Sequence, residues 1–170
     1  MKMNQSNQLD ALDRHLLSLL QENCQLSVQQ LAERTGSSGA TCHRRVKAME
    51  EAGYIERRVA LLSHDRLKAA GVSVLHALVE VTLEPQTQEN MARFEAASLA
   101  EPAVQQCWRT GSGPDFMLVL AVQDMPHYQQ VAQRLFVQAH CVRNVRAFFA
   151  THRPKFSHAL PLQAPQGTTH

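Results

Sequence analysis

The sequence has no apolar run close to the ~20 residues that a membrane-spanning helix needs. Its start, MKMNQSNQLDALDR, also lacks the apolar segment of a signal peptide. These two absences predict a soluble protein with no membrane association, which we expect to be cytoplasmic. Hydrophobic residues make up 44 % of the chain, which is enough to bury a core and argues against global disorder.

The spacings that mark metal and catalytic sites are absent as well. Cys24, Cys42, Cys107 and Cys141 form no CxxC pair, and the histidines are scattered without an HExxH motif. A zinc site or a disulfide framework is therefore poorly supported, and buried free thiols are the simpler interpretation. The sequence shows no Ser/His/Asp set and no phosphate-binding glycine loop. We predict a protein that is not an enzyme and that uses no cofactor or metal.

The formal net charge is only +2. A charge this small does not by itself indicate nucleic-acid binding. The distribution is more informative. Between residues 34 and 58 there are six cations against three acids, and local positive charge is what contact with phosphates requires. The six cations are Arg34, Arg44, Arg45, Lys47, Arg57 and Arg58.

The first 60 residues are predicted to form three short helices with tight connections. Leucines recur at helical spacing after Asp10, a candidate N-cap. Ser27 and Gln30 form an S-x-x-Q capping box at the start of the second helix, and Gly36 is suited to end it. Ser37 or Ser38 then begins a third helix that stops at a second glycine, and YIERRVALLS follows as a short strand or wing.

This order predicts a helix-turn-helix, in which the second helix of the pair enters the major groove with its N-terminal residues against base edges. The pair is Val28–Thr35 and Ser38–Ala52. Small residues at the start of the second helix would let its N-terminus approach DNA. The longer polar side chains that follow them in the helix would reach bases and phosphates. An amphipathic helix with a solvated outer face is the alternative interpretation. The candidate DNA-binding residues are Ser38, Gly39, Ala40, Thr41, His43, Arg44, Arg45, Lys47, Arg57 and Arg58, of which Arg45 has ion pairing with a neighbouring acid as a second interpretation.

From residue 72 the apolar period changes to two, and the pattern predicts β-α-β-β-α-β up to residue 150. This is the split βαβ, ferredoxin-like arrangement, with an antiparallel sheet and both helices on one face. The chain has nothing large enough to cover the other face, so we expect self-association across it. We expect Trp108 to pack in the core rather than in a subunit interface, and either Phe148 or Phe149 to lie in the contact between sheets.

The predicted fold class is therefore α+β, with a winged helix-turn-helix followed by a ferredoxin-like domain. We expect a DNA-binding domain at 1–62, a linker at 63–71, an effector-binding and oligomerisation domain at 72–150, and a flexible tail at 151–170.

The N-terminal sequence resembles the Lrp/AsnC (leucine-responsive, feast/famine) transcriptional regulators. The resemblance lies in LDxxDRxLLxxLQ, LSxxxLAxRxGxS, Cys-x-x-Arg-Val in the third helix and Glu-x-x-Gly-Tyr-Ile after it, and it continues to about residue 150. It implies a regulator that binds double-stranded DNA as a homodimer and assembles further, commonly to an octamer. It also implies that the second domain, called RAM, binds an amino acid or a related metabolite as effector.

The effector site implied by the resemblance is the loop GSGPDF, where the family typically has Gly-x-x-Asp-(Phe/Tyr). Ser112 stands where the family has glycine, so Gly111 or Gly113 would supply the flexibility. Backbone N–H groups of such a loop could hold a carboxylate, and Asp115 could accept from an ammonium group; a β-turn without a ligand is the alternative. The candidate residues are Gly111, Ser112, Gly113, Pro114 and Asp115. A second departure is Gly39-Ala40-Thr41, where the family often has prolines.

Two other functional classes compete with a ligand-modulated transcription factor. One is a small-molecule-binding enzyme or metabolic sensor whose N-terminal helices serve only for docking. The other is a metal or thiol sensor that uses Cys42, Cys107, Cys141 and the histidines. Specific DNA binding would separate the first alternative from a regulator, and replacement of Cys42 by serine would test the second.

Overall fold

The computed structural model describes residues 8–139 and 141–162. The chain divides into two compact units, one made of Met1–Ala60 and Lys155–His170 and the other of Leu61–Pro154. No helix in the described ranges is both long and apolar enough to cross a membrane.

The first unit contains three helices, α1 (Ala11–Glu22), α2 (Val28–Thr35) and α3 (Gly39–Glu51). The predicted caps are confirmed, because Asp10 and Ser27 each accept a hydrogen bond from the backbone three residues on and complete a capping box. The three helices pack around a small core of seven buried residues: Leu16, Leu17, Leu26, Leu31, Cys42, Val46 and Met49.

The segment after α3 forms no helix or strand over residues 56–63. Of the two forms expected there, the short strand is therefore wrong. The apolar residues of this segment, Val59, Leu61 and Leu62, stay exposed. The described part of the chain also offers them no strand to pair with. The linker that follows contains one short helix, α4 (His64–Ala69), with Ser63 as its cap.

The second unit has the predicted β-α-β-β-α-β order. Its four-stranded sheet runs β2-β3-β1-β4, and every neighbouring pair is antiparallel. The elements are β1 (Leu75–Leu83), α5 (Gln88–Ala100), β2 (Val104–Arg109), β3 (Phe116–Val122), α6 (Met125–Ala132), a π-helical turn (Gln133–Val137) and β4 (Val142–Phe149).

Strand β1 begins three residues later than its apolar alternation predicts. The backbone N–H of Val72 donates to the carbonyl of Leu67, 2.9 Å away, so this residue closes the end of α4 and is not available to a strand. Val74 is exposed as well. From Leu75 onward the expected alternation holds, and Ala77, Val79 and Val81 are fully buried.

The core of the second unit lies between α5, α6 and the sheet face that they cover. Alternate residues of β1 and β3 are buried there. The ring centroids of Phe94 on α5 and Phe116 on β3 are 4.9 Å apart. Of the two phenylalanines near the end of β4, Phe149 turns toward this side and contacts Tyr128 of α6 edge-on at 4.9 Å. Phe148 points to the opposite face.

Candidate DNA-binding surface and effector loop

The turn between α2 and α3 is fixed by local chemistry. Gly36 has a φ of 67° and ends α2 in the left-handed conformation that favours glycine. Ser38 then caps α3 by accepting from the backbone N–H of Thr41, and its hydroxyl also donates to the Thr41 hydroxyl at 2.9 Å. A Cβ on Gly39 would lie 3.3 Å from Cγ1 of Val28, so the start of α3 sits tightly against the start of α2. The helix-turn-helix geometry is thus set by these few residues.

The two sides of α3 differ as a recognition helix requires. Cys42, Val46 and Met49 are buried in the core of the first unit. The opposite side is exposed, so the cationic residues near the helix start are accessible. The exposed residues on this side are Ala40, His43, Arg44, Lys47 and Ala48, with the acidic Glu50 and Glu51 at the far end of the helix.

The predicted cations differ in how they are paired. Lys47 lies 3.7 Å from Glu51 one helical turn on, and Arg58 lies 2.6 Å from Glu50. Such exposed pairs are weak and exchange readily for other partners. Arg44 has no ion pair or hydrogen bond to any side chain in the described part of the chain, so its guanidinium is available to a ligand.

Arg45 has a different position. Its Nη1 atom lies 2.9 Å from the Asp10 carboxylate and 3.2 Å from that of Asp13, both at the start of α1. Asp13 is only 7 % exposed. The pKa of Asp10 is lowered, first by the hydrogen bond from the Asp13 backbone and further by Arg45, with desolvation partly opposing. The second interpretation of Arg45, ion pairing with a neighbouring acid, is thus the one the structure shows.

Sequence reasoning missed Asp13 as the partner of Arg45. The signal available to it was local, since Asp10-x-x-Asp13 marks a capping box, but nothing local connects that box to α3. The two residues are 32 positions apart.

The loop between β2 and β3 is anchored at its base and open at its tip. Thr110 and Asp115 pair through a backbone hydrogen bond of 3.0 Å, and the Thr110 hydroxyl donates to the carbonyl of Pro114. Gly113 has a φ of +81°, so this glycine supplies the special backbone conformation. Gly111, Ser112 and Gly113 are exposed.

Asp115 has structural partners that the sequence did not indicate. One carboxylate oxygen, Oδ2, accepts from the backbone N–H of Leu83 at 2.7 Å and from the side-chain amide of Gln86 at 3.2 Å. The Asp115 backbone N–H donates to the carbonyl of Val81 at 2.9 Å. Asp115 therefore ties the loop to the end of β1, and its Oδ1 atom is the one left for another donor.

The sheet face opposite the helices is rich in apolar side chains. Leu78 and Phe148 are direct partners across β1 and β4, and they are 43 % and 46 % exposed. Trp108 on β2 lies opposite Met117 of β3 on the same face. Glu80 and Arg146 form an ion pair of 3.2 Å among them.

Trp108 corrects an expectation. It is 61 % exposed and donates from Nε1 to Gln106 at 3.2 Å, so it is not a core residue. The pairing of β2 with β3 shifts register between Val104 and Gln106, which places Cys107 toward the helices and Trp108 away from them.

The four cysteines differ in burial. All four are free thiols, and the described residues contain no group of three potential metal ligands. Burial raises the pKa of the Cys107 thiol, with a contribution from Glu95, which makes it less reactive. The Cys42 sulfur lies 3.5 Å from the Thr35 hydroxyl and packs between α2 and α3.

A capped helix-turn-helix with an exposed cationic face, joined to a ferredoxin-like domain, defines a DNA-binding regulator with a ligand-binding domain. Comparison with known proteins gives the same result. Residues 9–56 match the winged helix-turn-helix DNA-binding family, and residues 76–160 match the Lrp/AsnC ligand binding domain.

The match covers at least four fifths of each of the following relatives. The DNA-binding transcriptional activator DecR of Escherichia coli is 31 % identical over 155 residues, which is 91 % of this chain and 99 % of DecR. An HTH-type transcriptional regulator of Haemophilus influenzae is 34 % identical over 141 residues, 83 % of this chain and 82 % of that protein. The crystal structure of a Neisseria meningitidis transcriptional regulator in complex with L-Met is 28 % identical with a TM-score of 0.78, covering 91 % of this chain and 97 % of that one. The chain belongs to the Lrp/AsnC family of transcriptional regulators.

Proposed function

We propose that this regulator reads a specific DNA site with the N-terminal half of α3, and that an amino acid bound at the loop of residues 111–115 modulates its DNA binding or assembly. The observation that carries the DNA part is the exposed face of α3. Ala40 leaves room at the helix start, and His43 and Arg44 present donors next to it. These are the positions at which recognition helices of this class meet base edges.

The remaining candidates divide by their surroundings. Lys47, Arg57 and Arg58 are exposed and form surface ion pairs, and Arg58 also donates from Nη1 to the carbonyl of Cys24 at 3.2 Å. We assign all three to phosphates. Arg45 is half-buried and held by α1. We therefore propose that it supports the orientation of α3, and that any contact of Arg45 with a phosphate is secondary.

We further propose that the protein is a homodimer through the uncovered sheet face, with higher oligomers built from dimers. Leu78, Trp108 and Phe148 would be buried by a second copy of the same face. Apolar side chains clustered on one face of a sheet favour such self-association. A two-fold dimer also matches the two half-sites that helix-turn-helix proteins commonly bind.

For the effector, the support is the loop itself and the relative with bound L-Met. The exposed backbone of residues 111–113 offers N–H groups suited to a carboxylate, and Asp115 retains Oδ1 as an acceptor for an ammonium group. An amino acid carries both groups. It would act by binding one assembly state more tightly than another, which shifts the population between them. We place this activity in the cytoplasm, without a catalytic step or a cofactor.

The experiment that tests the proposal has two arms. Selection from random-sequence DNA, followed by anisotropy titration at fixed salt, should give a site bound at least tenfold more tightly than its scrambled version. Failure to enrich any site at moderate salt would refute specific recognition. A thermal-shift screen of the 20 amino acids, L-methionine included, should then find one that raises the unfolding midpoint.

A further inference from the structure

The segment that follows β4 returns to the DNA-binding unit. The chain leaves the second unit at Pro154, and residues 155–162 belong with α1, α2 and α3. Residues 152–162 contain no helix or strand. Even so, the backbone of Leu160 makes two hydrogen bonds to one side chain of α1, so this part of the tail has a defined partner.

That partner is Gln21, near the end of α1. The backbone N–H of Leu160 donates to Oε1 of Gln21 at 2.6 Å, and the Leu160 carbonyl accepts from Nε2 at 3.2 Å. A single amide side chain thus satisfies both polar groups of one residue, as a neighbouring strand would. Two residues later, Leu162 packs against the apolar core of the first unit and is only half-exposed.

The core of this unit is small, with seven buried residues, so additional apolar cover would stabilise its folded state. We propose that residues 155–162 are a docking segment of the DNA-binding domain. In this proposal the segment holds α1 in place and, through α1, supports α3. The part that concerns α3 rests on the proposed function, since it assumes that α3 reads DNA.

The connection from the tail to α3 runs through contacts at both ends of α1. Gln21 holds the docking segment at one end of the helix. Asp10 and Asp13 hold Arg45 of α3 at the other. Contacts that continue from the docking segment through α1 to α3 can couple the tail to the recognition helix.

The test is hydrogen–deuterium exchange of the full chain, monitored on peptides that cover α1. We expect Gln21→Ala, and separately a chain that ends at Pro154, to speed exchange in α1 by about threefold to tenfold, because each removes hydrogen bonds that hold the helix down. The two changes combined should give no more than the truncation alone, since both remove the same contact. Leu162→Ala should give a smaller increase.

Glu22→Ala is the matched control. It is the neighbouring residue on α1, is exposed, and gains similar helix propensity on becoming alanine. Its exchange should match that of the unchanged chain. Unaltered α1 exchange in both Gln21→Ala and the truncated chain would overturn the docking proposal. So would an effect of Gln21→Ala that persists in full after truncation, because Gln21 would then act through something else.

A DNA arm separates this proposal from the function on which it rests. With a site selected for the unchanged chain, Gln21→Ala should weaken specific binding by about threefold, which reflects a less fixed α3. Faster α1 exchange with unchanged affinity would refute the link to α3 and keep the docking segment. If the unchanged chain selects no site, the proposed function fails, and the exchange data alone decide the docking.

Discussion

Arg45 of α3 donates from one nitrogen, Nη1, to both carboxylate oxygens of Asp13 on α1, at 3.3 and 3.2 Å. Asp13 also accepts, through Oδ2, from the backbone N–H of Asp10, so its carboxylate completes the α1 cap as well. One buried carboxylate thereby joins the start of the first helix to the middle of the recognition helix. Arg45 is therefore held by α1, whereas its neighbour Arg44 on the same helix is exposed.

Replacement of Arg45 by alanine should destabilise the DNA-binding domain by about 1–3 kcal/mol, because it leaves the buried Asp13 carboxylate without its cation. Urea unfolding of the full chain, followed by helical circular dichroism, measures this. Lys47→Ala, which removes an exposed cation on the same helix, should change stability by less than about 0.5 kcal/mol. A stable Arg45→Ala variant that has lost specific DNA binding would make Arg45 a direct DNA contact.

Arg44 and Lys47 should differ in what they contribute to DNA binding. Arg44→Ala should cost about 1–3 kcal/mol on the selected site and much less on random DNA, as expected for base contact. Lys47→Ala should weaken both by similar amounts and lower the salt slope by about 1, as expected for a phosphate contact. Anisotropy titrations at several salt concentrations give the affinity of each variant for the selected site and for random DNA, together with its salt slope. Equal loss on both DNAs for Arg44→Ala would demote Arg44 to a phosphate contact.

The features that sequence predicted well are local ones. Asp10, Ser27, Gly36 and Ser38 determine helix ends through bonds within a few residues, so their roles can be recognised from spacing alone. The alternation in β1 likewise revealed which residues face the helices. These patterns were enough for the order of elements and for the exposed side of α3.

What sequence missed depends on contacts between distant segments. The partners of Arg45 and Asp115 are each about 30 positions away, and those of Leu160 lie at the other end of the chain. Trp108 was misplaced for a related reason. The register shift in β2 arises from its pairing with β3, and it places Cys107 rather than Trp108 on the side of the helices.

The uncovered sheet face should control assembly. Phe148→Asp should shift the protein toward monomer, because it places a charge where a second copy would bury an aromatic ring. Sedimentation velocity over a range of concentrations measures this. Leu99→Asp is the control, since Leu99 is 74 % exposed on α5 and lies on the helical side of the domain. An unchanged dimer in Phe148→Asp would place the interface elsewhere.

Asp115 should matter for stability as well as for the effector. Asp115→Ala removes the acceptor for the Leu83 N–H and the Gln86 amide, and we expect a loss of about 1–3 kcal/mol in the ligand-binding domain. Differential scanning calorimetry measures the change. Ser112→Gly, at the open tip of the loop, should keep the midpoint within a degree or two, roughly the effect of a few tenths of a kcal/mol. A neutral Asp115→Ala would mean that the loop is held without these bonds.

His76 gives the ligand-binding domain a predictable pH response. Its pKa is lowered from the ordinary 6.5, first by desolvation and then by Arg153 and His64, whose ring lies 4.9 Å away. The unfolded chain therefore binds a proton at a higher pH than the folded one. Stability should be complete above about pH 6.5 and decrease as pH falls from there toward the folded pKa.

The measurement is the unfolding midpoint of the ligand-binding domain between pH 8 and pH 5. His76→Gln should flatten the decrease in this window, because the glutamine does not titrate. Asp10, whose pKa is lowered from 3.8, stabilises the other domain and loses its effect only below that value, so the two responses separate. A profile of His76→Gln that parallels the unchanged chain would assign the response to another group, with His64, which faces His76, the next to replace.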